Sequence, residues 1–180
     1  MPDQVQGMGA RIAALLWGPF SRLGLMVALV TGLVDQANKW WMIAVYGIKE
    51  TDRIRVLPFL DLTFVKNLGI SYGMLSQSGP WGQRLLAAFA FAASLALTVW
   101  LARGVTNRLL AVSLGLIIGG AVGNAIDRLM LGGVADFYSL HAFGFYWYVF
   151  NIADVAIVAG VVGLLYESFR SSREEASKSA

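Results

Sequence analysis

Four long apolar stretches, each cut off by a short polar or basic run, set the pattern of this chain. They cover residues 23–46, 83–102, 109–128 and 148–167, and about 20 apolar residues suffice for one helical crossing of a bilayer. The second and third are joined by RGVTNR at 103–108, a tight polar turn with two arginines that predicts a cytoplasmic loop. With four crossings both ends then share that side. Arg11 and Arg22 in segment 1–22 agree, as do Arg170, Arg173 and Lys178 in the tail 168–180. Lys49, Arg53, Arg55 and Lys66 fall on the opposite side, so the charge bias is modest. No small-residue cleavage site follows the first stretch, which therefore reads as a retained anchor and not as a removable leader.

Between the first two stretches, at 47–82, the period changes. In IRVLPFLDLTFVKN, Leu60, Leu62 and Phe64 alternate with Asp61, Thr63 and Val65, which predicts a strand with one apolar face. A small extracytoplasmic sheet on the membrane surface follows, its apolar face resting on lipid or substrate. The second segment on that side, 129–147, runs into FYSLHAFGFYWYVF at 137–150. Rings in such number gather at headgroup level, so the expectation there is an interface belt, with a substrate-lining role second. The tail after Glu167 is polar and expected to be disordered. The predicted fold class is thus an all-α membrane protein, a single domain of four transmembrane helices with a small β-sheet.

Composition supports this reading: 57% of residues are hydrophobic and 14% charged, against about 25% charged in a soluble domain, and the mean hydropathy is +0.63. Cysteine is absent, which excludes disulfides, thiolate catalysis and cysteine-ligated metals. The lone histidine, His141, supports neither a His-rich zinc site nor a Ser-His-Asp triad and reads as an interfacial polar residue. The net charge of +3 sits mainly at segment ends, where topology explains it better than nucleic-acid binding does. No cofactor or metal is called for.

Within the third stretch Gly115, Gly119 and Gly123 recur every four residues, a stripe that lets another helix backbone approach closely. The second stretch, with Ala87, Ala88, Ala92, Ala93 and Ala96, offers a smooth partner. The stripe leads into Asn124, Asp127 and Arg128, of which Asn124 and Arg128 are helical neighbours. Asp127, beside an arginine, is expected to hold the end of that helix.

Ionisable groups in a membrane segment cost at least ~2.5–3.5 kcal/mol and mark candidate sites. DQANK places Asp35 and Lys39 at i and i+4, either a neutralised structural pair or a substrate contact. FNIADVAI puts Asn151 and Asp154 three apart beside the small Ala153. No cation lies within ten positions of Asp154, which is either buried and bonded to Asn151 or chemically active. Asp136, in GGVADF, likewise has no adjacent base, and Gly132 and Gly133 predict a bend that turns it toward the bundle. Spacing alone does not choose between Asp127 and Asp136. Two carboxylates without local counter-charges at one end of the bundle suggest a dyad sharing one proton. That is the apparatus of aspartic peptide hydrolysis, which needs neither metal, thiol nor histidine.

The blocks DQANK, NLGISYG, GGAVGNAIDRLMLGGVADF and FNIADVAI, in this order from Asp35 to Asp154, resemble the lipoprotein signal peptidases (signal peptidase II), bacterial aspartic proteases of the inner membrane. The resemblance implies cleavage of prolipoproteins before a diacylglyceryl-modified cysteine, on the extracytoplasmic side of an N-in/C-in monomer in contact with lipid. Carried over by position, it puts the catalytic pair at Asp136 and Asp154. It puts Asp35, Lys39, Asn67, Gly69, Asn124, Arg128, Asn151 and Ala153 around the site. Asp127 matches a recurrent family acid outside the pair. Ser71 and Tyr72 depart from the commoner Ala-Phe. Two other readings compete: a small proton-coupled transporter, which would favour acids at mid-membrane, and a non-catalytic scaffold assembled through its glycine faces.

Overall fold

The structure is a computed structural model that describes residues 17–69 and 79–178; Arg11, Ser71 and Tyr72 lie outside the described residues. Helix α1 (Ser21–Trp40) widens into a π-helical turn at Trp41–Val45. Strands β1 (Arg53–Leu57) and β2 (Leu60–Asn67) follow, then helices α2 (Pro80–Arg103) and α3 (Arg108–Met130). Strands β3 (Val134–Ala142) and β4 (Phe145–Phe150) lead into the last helix, α4 (Ile152–Lys178). Among the described residues three helices are long and apolar enough to cross a membrane: α2, α3 and α4 from Ile152 to Glu174. Helix α1 does not join them, since Asp35, Gln36, Asn38 and Lys39 lower its apolarity.

Helix α3 is the hub, packed against α1, α2 and α4. It starts at Asn107, whose Oδ1 accepts from the Leu110 N–H at 3.0 Å, satisfying a donor that the first turn would leave unpaired. Its glycine stripe faces α1 and not the alanines of α2, as the spacing alone suggested. A Cβ on Gly115 would strike the Gly24 carbonyl and Val27, and one on Gly119 the Ala28 carbonyl and Thr31. The reason is reciprocal: α1 buries Gly24, Ala28 and Thr31 along one face, so two small-residue faces close on each other. Ala88, Ala92 and Ala96 are instead exposed. Gly120, on another side of α3, meets the Ala153 carbonyl of α4.

The four strands form one antiparallel sheet in the order β1-β2-β3-β4, larger than the single strand pattern predicted. The aromatic segment 137–150, expected as part of a loop and belt, is mostly the hairpin β3–β4, turned at Phe143 and Gly144 with φ of 51° and 80°. Positive φ at both central residues suits a tight hairpin, and aromatic and β-branched residues suit strands as well as interfaces. Tyr148 therefore belongs to β4, and the last helix begins at Ile152 and not at 148. The tail also departs from expectation: α4 continues through Lys178, with Arg170 paired to Glu167 at 3.0 Å on successive turns.

Within the sheet both faces of β2 are partly covered by protein, so Leu62 and Phe64 pack on a core and not on lipid. Asp61 is 1% exposed and Thr63 also buried, while Leu60, Leu62 and Phe64 are half-buried. Asp61 is covered by Arg53 and Arg55 of β1, at 3.8 and 3.6 Å, and by His141 Nε2 at 3.1 Å. His141 is thus a partnered sheet residue. Phe64 stacks on Phe137 at 5.4 Å and joins Met42, Ile48 and Ala135 in the small core beneath the sheet.

Candidate active site

The site grows from the place where α4 starts. The Asn151 Oδ1 accepts from the Asp154 N–H at 2.9 Å, and Asp154 Oδ2 accepts from the Asn151 N–H at 3.2 Å, a reciprocal cap on the first turn. A third backbone group there, the Ala153 N–H, donates to Asp35 Oδ1 at 2.9 Å. The carboxylate of Asp35 on α1 thereby caps a helix that the chain makes much later, at the end where the helix dipole favours negative charge.

Asp136 arrives from the opposite direction. Gly132, with φ of 69°, takes the left-handed conformation that a side chain resists, and the chain leaves α3 to enter β3. This is the bend that the paired glycines predicted. Asp136 is almost fully buried, receiving Asn151 Nδ2 at 2.6 Å on one oxygen and Asn67 Nδ2 at 3.1 Å on the other. Burial, followed by the neighbouring Asp154 charge, pushes its carboxyl up from 3.8 to about 7.

Two asparagines join the acids. Asn151 Nδ2 also donates to Asn124 Oδ1 at 3.1 Å, and Asn124 Nδ2 donates to Asp154 Oδ1 at 2.9 Å. The path from Asp136 to Asp154 thus runs through two amides, each fixed by its other contacts. Lys39 Nζ donates to the same Asn124 oxygen at 3.0 Å and lies 2.8 Å from both Asp35 and Asp127. The counter-charge of Asp127 is therefore Lys39, not the adjacent Arg128. Asp127 also accepts the Ala135 N–H at 3.1 Å, one residue before Asp136, so it secures the start of β3 as well as the end of α3.

Arg128 turns the other way. Its NH1 donates to the Asn124 carbonyl at 3.1 Å and its NH2 to the Gly69 carbonyl at 2.9 Å. Asn67 Oδ1 accepts from the Gly69 N–H at 3.0 Å, which fixes the exit of β2 over the site. A cleft of about 220 Å³ opens here, lined by Asn67, Ala90, Ala121, Asn124, Arg128 and Asp154 among others. Asp154 borders the cleft directly; Asp136 does not line it and approaches it through Asn67. Its lining mixes amide, guanidinium and carboxylate groups with apolar side chains.

The polar residues expected in or around the site converge on this region: Asp35, Lys39, Asn67, Asn124, Asp127, Arg128, Asp136, Asn151 and Asp154, with the backbones of Gly69 and Ala153. Gly123 packs on the Asp35 side chain, while Gly115 and Gly119 lie along the seam with α1. Three residues were missed. Gln36 Nε2 reaches Asp127 Oδ1 at 2.9 Å and the Gly123 carbonyl at 3.1 Å. Asn38 Nδ2 donates to the Tyr138 hydroxyl at 2.8 Å, tying α1 to β3, and Gln83 Nε2 donates to the Leu68 carbonyl at 2.6 Å. Gln36 and Asn38 were open to discovery, because an uncharged amide within a membrane helix also needs a partner.

Comparison with known proteins places this geometry. The family model described as signal peptidase (SPase) II matches residues 27–170. The lipoprotein signal peptidase of Methylocella silvestris is 52% identical over 151 residues, covering 84% of this chain and 88% of that protein. That of Rhodopseudomonas palustris is 51% identical over 151 residues, covering 82% and 92%. A bacterial membrane enzyme solved by the in meso method at 2.3 Å resolution shares the fold with a TM-score of 0.72 at 28% identity, covering 83% of this chain and 89% of that one. The polar network joins segments from Asp35 to Asp154, all within the matched residues, and the chain belongs to the signal peptidase II family.

Proposed function

We propose that this protein removes signal peptides from prolipoproteins as an aspartic endopeptidase, cutting before a diacylglyceryl-modified cysteine, with Asp136 and Asp154 as the catalytic pair. One observation carries the assignment: Asn124 and Asn151 bind these two carboxylates, from different elements, into one network beside a cleft. Asp154 lines the cleft and accepts two N–H donors at a helix N-terminus, and in this proposal it takes the role of the ionised base. Asp136, with its carboxyl near 7, keeps a proton for a hydrogen bond to the scissile carbonyl.

The step follows from that division. Asp154 takes a proton from water as the water oxygen bonds to the carbonyl carbon, while Asp136 hydrogen-bonds the carbonyl oxygen. Collapse of the tetrahedral intermediate breaks the C–N bond, and the proton passes to the departing amine of the cysteine. Asn67, Asn124, Asn151 and Arg128 orient carboxylates and peptide. Asp35, Lys39, Gln36 and Asp127 hold the elements that carry them.

In this reading α1 is a fourth crossing. Its 20 residues rise about 30 Å, and Asp35 and Lys39 are buried against protein partners, where lipid does not meet them. The termini are cytoplasmic, the site faces the outer side of the bacterial inner membrane, and the monomer takes its substrate laterally from lipid. A transporter would want its acids at mid-membrane; here Asp154 lies in the first turn of α4 and Asp136 on a strand.

The test is incubation of purified protein with a lipidated prolipoprotein, wild type beside Asp136→Asn and Asp154→Asn. Wild type should release the signal peptide, and each variant, still folded, should lose about a thousandfold in rate. Normal processing by either variant removes the dyad.

A further inference from the structure

Strand β3 presents Asp136 and Tyr138 on one face, because side chains two apart on a strand point the same way. Tyr138 stands opposite Phe150 in the register of the β3–β4 hairpin, and the two rings meet at 6.0 Å. The residue after Phe150 is Asn151, whose Nδ2 holds Asp136 at 2.6 Å. Tyr138 therefore packs on the strand end that leads to the amide donor, while its own strand carries the acid. Its hydroxyl accepts from Asn38 Nδ2 of α1 at 2.8 Å. Asp35, Gln36 and Lys39, on the same stretch of α1, bond instead to α3 and to the start of α4. Asn38 Oδ1 is buried with no partner among the described residues. That amide carries an unmet cost, which its bond to Tyr138 offsets.

Resting on the assignment of Asp136 to the catalytic pair, we infer that Tyr138 and Asn38 are positioning residues for that acid: their hydrogen bond ties β3 to α1 and sets where the Asp136 carboxyl stands. Both act through Asp136 and not on the substrate. Asp136 rides on the sheet and Asp154 on α4, so the pair keeps its geometry only if the sheet is held in register with the helices. Two ties do this, one on each side of Asp136. Before it, the Ala135 N–H donates to Asp127 of α3 at 3.1 Å. After it, Tyr138 is held by Asn38 of α1. A strand fixed at one point can pivot, and a displacement of about 1 Å can cost a hundredfold in rate. The charged groups that face Asp136 are Asp154 from α4, Lys39 from α1 and Arg128 from α3. Burial does most to hold its carboxyl at about 7, ahead of the Asp154 charge. A loosened β3 admits water to the acid, whose pKa then falls toward 3.8.

The test uses the full-length protein in detergent with a lipidated prolipoprotein. Tyr138→Phe removes one oxygen and keeps the ring that packs on Phe150, and thermal unfolding checks that the variant is folded. It should lower kcat about tenfold at unchanged KM and move the upper limb of the pH–kcat profile to lower pH. Asn38→Ala should do the same from the other side. The double variant should be no slower than the slower single one, since both remove the same bond. Should Asn38→Ala not fold, Tyr138→Phe alone decides. An upper limb that stays in place in Tyr138→Phe overturns the inference even if turnover slows, because a merely structural role lowers the amount of folded enzyme and not the pKa of its acid. Single effects that multiply in the double variant also overturn it. Normal cleavage by Asp136→Asn refutes the assignment of Asp136 itself, whatever Tyr138→Phe does.

Discussion

Asp127 and Asp136 stand nine positions apart and are both nearly sealed from solvent, but they meet opposite surroundings. Asp127 shares Lys39 with Asp35 at 2.8 Å; Asp136 has amide donors and an acidic neighbour. Removing the shared cation by Lys39→Met leaves two buried carboxylates uncompensated, and should destabilise the fold by about 3–5 kcal/mol, read as a lowered Tm in detergent. Asp127→Asn should mainly reduce folded yield, and a folded but inert Asp127→Asn protein would contradict that role. For Asp136 the pH dependence has a definite sign. Its carboxyl is raised from 3.8 to about 7, so the folded state holds the proton more tightly than the unfolded one. Its contribution to stability is complete below 3.8 and is lost as pH rises through about 7. Activity should fall over the same upper range as the acid loses its proton, and Asp136→Asn should flatten that part of the stability profile. Sequence distance explains what was legible at this scale. The i,i+4 pair Asp35–Lys39 and the cap Asn151–Asp154 could be read from spacing, whereas the Lys39–Asp127 pair joins two helices and left no local trace.

At the scale of elements, the α1–α3 seam decides whether the site can form at all. Gly119 has the Ala28 carbonyl and Thr31 where a Cβ would stand, and backbone yields far less readily than a side chain. Gly119→Leu should separate the two helices and destabilise by about 1–3 kcal/mol or more, pulling Asp35 away from Ala153. Thermal unfolding beside a cleavage assay checks this, with activity lost before the protein unfolds. The glycine stripe was plain in the sequence, but not the helix it faces, because several small residues on both α1 and α2 fit the same rule. The β3–β4 hairpin was hidden for a related reason. Tyr, Trp and Phe favour strands and membrane interfaces alike, and Phe143–Gly144 is a weaker turn signal than Asn-Gly. The β2 strand was visible by its alternation, yet which face is covered depends on Arg53, Arg55 and His141 from neighbouring strands.

For the whole molecule, the absence of cysteine makes topology simple to measure with single introduced thiols. Thr106→Cys, between α2 and α3, should react with an impermeant maleimide only in inverted vesicles, and Phe143→Cys, at the exposed hairpin tip, only from the outer side. Labelling of both from one side would refute the four-crossing arrangement. The cap that Asp35 provides for α4 also has a consequence in time. Its partner Ala153 lies 118 residues further along the chain, and synthesis at 5–20 residues per second separates the two by about 6–24 s. During that interval the nascent α1 carries an acid whose final donor does not yet exist. The network around Asp35 therefore cannot assemble piecemeal: it is complete only once the last helix has been made.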